Sequence, residues 1–309
     1  MKKFWPWGRL AMGLGILGAL LWWHSTDAFV AAFRSIDAGS VVLALAIGLA
    51  TTVLSAARWR LVARRLGLHL PLGGAVADYY GSQFLNAVLP AGVLGDLHRA
   101  VSHGQRSGDV ARGVRAVFLE RIAGQGVAIV AGVAALFAYP ALLSAMAPAL
   151  VAVGAVLVLL LALGRWKHPA LASTFTDLRA AARGWPGIAG LSVAALAGHL
   201  ALFVVAARLA GATAPVVELA PLLLLALLAM VLPINIGGWG PREAVLTVAF
   251  GAAGLGSAQG LTVSVVYGVL SFVACLPGAA TLLLKHREDV PERLDQAPQR
   301  VPALAGAGQ

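Results

Sequence analysis

Two stretches of this chain combine the residue types from which an anion site is built. The first reads Pro90-Ala91-Gly92-Val93-Leu94-Gly95-Asp96-Leu97-His98-Arg99. The second reads Pro233-Ile234-Asn235-Ile236-Gly237-Gly238-Trp239-Gly240-Pro241-Arg242-Glu243. In both, a glycine follows the proline by five positions and an arginine follows it by nine. Proline lacks a backbone donor and ends an incoming helix, which frees a carbonyl. Glycine allows positive φ and lets a ligand approach the backbone closely. A helix leaving such a break aims its unpaired N–H groups, with their partial positive charge, into the site. Arg99 and Arg242 add a full charge and a planar fork suited to phosphate or carboxylate.

Other polar residues stand near these breaks. Asn86 precedes the first, and Asp96 at the start of a helix serves as a cap or dipole partner that also holds Arg99 three residues on. Glu120-Arg121 and Arg242-Glu243 are adjacent ion-pair candidates; each reads either as structural (a solvated helix end for the first, a helix–helix lock for the second) or as a contact to an anion. Asp78 and Gln83 face either the same cavity or water, and His199 reads as a hydrogen-bonded core histidine. Catalytic patterns are not found: the sequence has no paired His/Cys set for a metal, no G-x-S-x-G elbow and no phosphate loop. No cofactor, metal or catalytic residue is expected.

The elements that carry these residues are membrane helices. Of 309 residues, 60% are apolar and 12% charged, and mean hydropathy is +0.85. Soluble chains carry about 25% charged residues. Several apolar runs approach the roughly 20 residues that a helix needs to span hydrocarbon, and the alternation of a membrane β-barrel is missing. The net charge of +10 then reads as cytoplasmic loops rich in Lys and Arg, not as a nucleic-acid surface. The single cysteine, Cys275, excludes an intrachain disulfide.

Hydropathy places helices at about 10–23, 39–57, 116–139, 147–163, 187–210 and 261–284, with an amphipathic piece at 28–36. Basic clusters at 58–65, 96–115, 165–183 and 285–287 mark one side as cytoplasmic. Residues 71–95 then begin and end on the cytoplasmic side, and 216–250 begin and end on the other. The expectation is an all-α polytopic domain over 1–286, with six crossings and two opposed re-entrant hairpins whose matched breaks suggest an inverted repeat, and a disordered cytoplasmic tail over 287–309. The alternative for 216–250 is two ordinary crossings.

Leu89-Pro90 through Gly95-Asp96 to Arg99, then Glu120-Arg121, then Leu232-Pro233 through Gly237-Gly238, Gly240 and Arg242-Glu243, resemble the lysylphosphatidylglycerol synthase transmembrane family of flippase-like membrane proteins. The resemblance runs from about residue 10 to 285. It implies a multi-pass protein of a bacterial or archaeal inner membrane, with both termini cytoplasmic, that handles lipids. In the full synthase such a domain translocates an aminoacylated lipid that a separate soluble domain makes; no such soluble domain is read here, so synthesis is not expected. Leu94 stands where the family has a glycine and Pro241 where a small aliphatic residue is commoner.

The functional expectation is therefore a lipid flippase or transporter for an anionic phospho-, aminoacyl- or glycolipid, its headgroup held between the two hairpins. Substrate contacts are assigned to Asn86, Pro90, Gly95, Asp96, Arg99, Glu120, Arg121, Pro233, Asn235, Gly237, Gly238, Gly240, Arg242 and Glu243. The partners are the lipid itself and a possible glycosyltransferase or lipid-synthesis protein. The alternative is a membrane-embedded lipid-linked transferase component or a scaffold for a lipid-modifying complex.

Overall fold

Asp37 starts the first described helix. Its carboxylate accepts from Ser40 N–H at 2.8 Å, and the Ser40 hydroxyl accepts from Asp37 N–H at 3.0 Å. The helix that follows, α1 (Ala38–Arg65), stops at Gly67, whose φ of 79° lets Leu68 N–H donate back to the Ala63 carbonyl at 2.9 Å. The structure, a computed structural model, describes residues 34–89, 93–138, 183–230 and 239–284, with positions 177, 180 and 181. The helices expected at 10–23 and 147–163, the prolines Pro90 and Pro233, the residues Asn235, Gly237 and Gly238, and the tail lie outside the described residues.

Seven more helices follow among the described residues: α2 (Leu72–Val88), α3 (Leu94–Arg106), α4 (Val110–Ala138), α5 (Trp185–Leu209), α6 (Val216–Ala229), α7 (Pro241–Ala252) and α8 (Ser257–Cys275). Among the described residues four helical stretches are long and apolar enough to cross a membrane: Ala38–Arg65, Val110–Phe137, Trp185–Leu209 and Ser257–Leu284. Their outward faces carry large apolar side chains such as Val42, Val130, Val193 and Leu283, which water would not favour and hydrocarbon would.

The order long, short, short, long therefore occurs twice, as α1–α4 and as α5–α8. The punctuation matches as well. Gly67 ends α1 and Pro71 caps α2, while Gly211 ends α5 and Pro215 caps α6, the same four positions later. Gly108 ends α3 with Asp109 N–H on the Gly104 carbonyl, and Gly254 ends α7 with Leu255 N–H on the Phe250 carbonyl. The two leading helices run antiparallel: Gly198 faces Thr51, Gly187 faces Leu61 and Gly184 faces Arg65. The cores follow the same division. One gathers Trp59, Val62 and Leu66 with Ala116 and Leu119; the other gathers Leu219, Leu222 and Phe250 with Val263 and Leu270. They lie at opposite ends of α1 and α4.

Two elements differ from the sequence reading. The third long helix, expected from Ala116, starts instead at Val110, and the basic stretch Asp96–Arg115 is helix α3 and the first turns of α4. The helix α1, expected to stop at Ala57, continues through the arginines to Arg65. Arg58, Asp96 and Arg99 do not mark exposed chain, because they pair inside the fold. Segment 71–95 is thus one arm of a longer pair, α2 packed antiparallel on α3. Asp78 pairs with Arg106 near its open end, and Asn86 meets Gly95 near the break.

In lipid the solvent is as apolar as the side chains, so close backbone approach carries much of the packing. Gly260 is such a point: a Cβ there would lie 2.3 Å from the Leu246 carbonyl oxygen of α7. Gly260→Ala is expected to cost about 1–3 kcal/mol by overpacking. At Gly190 a Cβ meets open space, so Gly190→Ala is expected to be neutral or to stabilise by up to about 1 kcal/mol. Thermal melts of the two variants in detergent micelles separate these outcomes.

Candidate functional site

The break between α2 and α3 brings together five charged side chains from three helices. Glu120, on α4, is completely buried. Its Oε1 accepts from Arg58 Nε at 2.9 Å and from Arg58 Nη2, and its Oε2 accepts from Arg99 Nη2 at 3.1 Å. The Tyr79 hydroxyl donates to Oε1 at 3.3 Å. Arg58 also donates from Nη1 to the Ser192 hydroxyl of α5, at 3.2 Å. One carboxylate thus ties α1, α2, α3 and α4 together, and Arg58 adds α5.

Asp96 is the second carboxylate. It occupies the third position of α3, where the helix dipole favours a negative charge. Oδ1 accepts from Arg99 Nη2 at 2.7 Å and from the Ser82 hydroxyl at 3.2 Å. Oδ2 accepts from the Asn86 amide at 2.8 Å and pairs with Arg121 Nη2 at 2.8 Å. The Asn86 carbonyl oxygen in turn accepts from Gly95 N–H at 2.8 Å. Gly95 is small for a steric reason, since a Cβ would fall 2.1 Å from the Ser82 carbonyl oxygen on the facing arm. Close approach of two helices, not a positive φ, is what this glycine provides.

Arg99 lies between two rings, its guanidinium carbon 4.5 Å from the Trp59 ring centroid and 4.3 Å from that of Tyr79. Its Nε and Nη1 are buried without a hydrogen-bond acceptor, so the aromatic faces supply their electrostatic contact. Arg58 lies flat against α4 because position 124 is glycine; a Cβ there would be 2.8 Å from both terminal guanidinium nitrogens. The cluster holds three arginines against two carboxylates, an excess of one positive charge. Arg58 and Arg99 are enclosed, whereas the Arg121 side chain is 34% exposed and has Asp96 as its ion-pair partner.

Arg242 and Glu243 form a second cluster at the start of α7. Glu243 Oε1 accepts from Arg242 Nη2 at 2.6 Å and from the Ser264 hydroxyl of α8 at 2.8 Å. Its Oε2 reaches back to Gly240 N–H at 2.6 Å, closing the helix N-terminus. Arg242 Nε contacts Ser264 at 2.9 Å, and the guanidinium lies over Trp239 and Tyr267. Gly268 makes room for it as Gly124 does for Arg58. This cluster is neutral and enclosed.

Asn86, Gly95, Asp96, Arg99, Glu120 and Arg121, all singled out from sequence, converge on the first cluster. Gly240, Arg242 and Glu243 form the second. The hydrogen bonds described for Arg99 and Arg242 share no partner. Sequence reasoning did not find Arg58, Tyr79, Ser192 or Ser264. Arg58 was legible in principle: Thr51, Ser55 and Arg58 repeat at helical spacing and make one polar face of α1, all three residues buried. Glu120 is not the solvated helix end that its neighbours suggested.

Removing the charge of Glu120 leaves the buried Arg58 guanidinium without a carboxylate and leaves Arg99 with Asp96, which it shares with Arg121. Glu120→Gln is expected to destabilise by about 3–5 kcal/mol. The exposed Asp109–Arg112 pair, at 3.3 Å, is expected to change stability by less than about 0.5 kcal/mol in Asp109→Asn. Denaturation of the purified variants in one detergent gives the comparison directly.

Comparison with known proteins bears on this architecture. A family model described as the lysylphosphatidylglycerol synthase TM region matches residues 10–278. No curated protein and no solved structure matches the chain significantly. The matched residues span all eight described helices and both arginine clusters, and the chain belongs to the lysylphosphatidylglycerol synthase transmembrane family.

Proposed function

We propose that this protein is a lipid flippase of the inner membrane that carries an anionic headgroup past the bilayer core, with both termini cytoplasmic. The observation that carries the reading is the unbalanced charge of the α2–α3 cluster and its one partly open guanidinium, Arg121. Charged residues at membrane depth cost about 2.5–3.5 kcal/mol each on insertion scales. An excess positive charge there, on an arginine that shares Asp96 with Arg99, favours binding of a further anion.

In this reading the antiparallel pair α2–α3 and the pair α6–α7 are re-entrant hairpins from opposite faces, and α1–α4 and α5–α8 are inverted repeats. The matched glycine and proline positions and the antiparallel α1 and α5 support it. With arms of 17 and 13 residues, α2 and α3 reach about 25 Å and 20 Å, short of a full crossing and return with a loop outside. The basic ends of α1, α3 and α5 then face the cytoplasm.

Asp96 acts as an internal stand-in for the headgroup. Its carboxylate satisfies Arg121 when the site is empty, and a lipid phosphate, which presents more oxygens to the same fork, displaces it. Exchange of one anion for another keeps Arg121 paired throughout, so the headgroup enters without stripping a bare charge. Arg99 and Glu120 hold the frame against which this exchange occurs. The neutral Arg242 cluster is the opposite hairpin's closed counterpart.

Reconstitution in vesicles with a fluorescent phosphatidylglycerol, followed by dithionite quenching, tests the proposal. Protein-dependent movement is expected, with a fall of at least about tenfold in Arg121→Gln, the size of a lost charge-assisted contact. Arg121→Lys, which keeps charge but not the fork, is expected to fall between the two. Equal rates in wild type and Arg121→Gln would sink the assignment. A covalently altered lipid, seen by mass spectrometry, would point instead to a transferase.

A further inference from the structure

The helices α1, α4 and α5 enclose an apolar groove at their basic end. Its walls are Val62 of α1, Leu119, Ile122, Ala123 and Val127 of α4, and Trp185 and Ile188 of α5, with a cavity volume of about 260 Å³. That is below the roughly 300–1,000 Å³ of sites that enclose whole small molecules, and among the described residues no charged side chain lines it. Along α4 it runs from Leu119 to Val127, about 12 Å at the helical rise. The shape is that of a slot for one hydrocarbon chain.

The mouth of the slot has a different chemistry. Trp185, which lines it, is 67% exposed, and an amphipathic indole at a helix end belongs at the level of lipid headgroups. Arg65 lies across Gly184, the residue before Trp185, with its Nε 3.1 Å from where a Cβ would stand. Arg64, Arg65 and Arg183 are all exposed around this point. An apolar slot with an indole and arginines at its opening matches a phospholipid with an anionic headgroup: acyl chain along Val62, Leu119 and Ala123, phosphate on Arg65 and Arg183.

We infer that the groove between α1, α4 and α5 is a binding site for one acyl chain of an anionic phospholipid, anchored at its headgroup by Arg65 and Arg183. This lipid is separate from the headgroup exchanged at Arg121, which lies on the other side of Glu120. Its occupancy bridges α5 to α4 next to the Arg58–Glu120–Ser192 contacts, so the lipid holds the frame of the transport site without being transported.

The test reads Trp185 directly. The protein is reconstituted in vesicles containing phosphatidylglycerol or phosphatidylcholine with brominated acyl chains, and Trp185 emission is obtained as the difference between wild type and Trp185→Phe. Brominated phosphatidylglycerol is expected to quench that emission at least about twice as strongly as the phosphatidylcholine. In the Arg65→Gln/Arg183→Gln variant the ratio is expected to fall to about one, and Ala123→Phe, which fills the slot, is expected to weaken quenching by both lipids. The inference is overturned by equal quenching in wild type, by no quenching from either lipid, or by quenching that Ala123→Phe leaves intact. None of these readouts depends on lipid movement, so the groove and the flippase reading fail separately.

Discussion

The fold depends on how Glu120 is buried. A lone carboxylate in that position would be driven to its neutral form or out of the core. It remains because Arg58 and Arg99 donate to its two oxygens from opposite sides, and Tyr79 adds a third donor. Those donors come from α1, α2 and α3, so satisfying one charge fixes the relative positions of four helices. Buried ion pairs are poor sources of net stability but strong sources of specificity, because each alternative packing leaves a charge unpaired. In an apolar solvent that penalises such charges heavily, the cluster selects one arrangement of α3 against α4 from many that apolar packing would accept.

Glycine makes that selection geometrically feasible. A guanidinium needs a flat space beside a helix, and Gly124 and Gly268 provide it for Arg58 and Arg242. Gly95 lets the two arms of the first hairpin touch through backbone, which brings Asn86 and Ser82 within reach of Asp96. The same device thus serves both halves of the molecule. Where the halves repeat most closely is in their punctuation, Gly67 and Pro71 against Gly211 and Pro215, because turn chemistry is dictated by backbone conformation and not by partner side chains.

Much of this was visible in the sequence, and what was hidden has a common cause. Helix α5 and the apolar stretch Ser257–Leu284 that α8 opens emerged within a few residues of their bounds, since continuous apolar runs with glycine, proline or basic ends leave little choice. The convergence of Asn86, Gly95, Asp96 and Arg99 followed from the proline–glycine break. Polarity misled wherever polar residues pair internally. Arg58 was assigned to a cytoplasmic end because it belongs to a run of arginines, and the extent of α3 was hidden because the stretch that holds it is polar and basic. A hydropathy argument treats a charge as a cost to be placed in water. It cannot see that Arg58 meets Glu120 across 62 positions of sequence, because pairing over that separation is a property of the fold.

The two arginine clusters show how similar local sequences reach different electrostatic ends. Arg99 and Arg242 both stand nine positions after a proline, each near the start of the second helix of a pair and each covered by two aromatic rings. Arg242 is neutralised by its own neighbour, Glu243, with Ser264 as a neutral third partner. Arg99 shares its two carboxylates with Arg58 and Arg121, which have no counterpart among the described partners of Arg242. The difference therefore lies in the surrounding helices, not in the break motif. Among the described residues the excess charge lies in the α2–α3 cluster, whereas the Arg242 cluster is balanced by its own carboxylate.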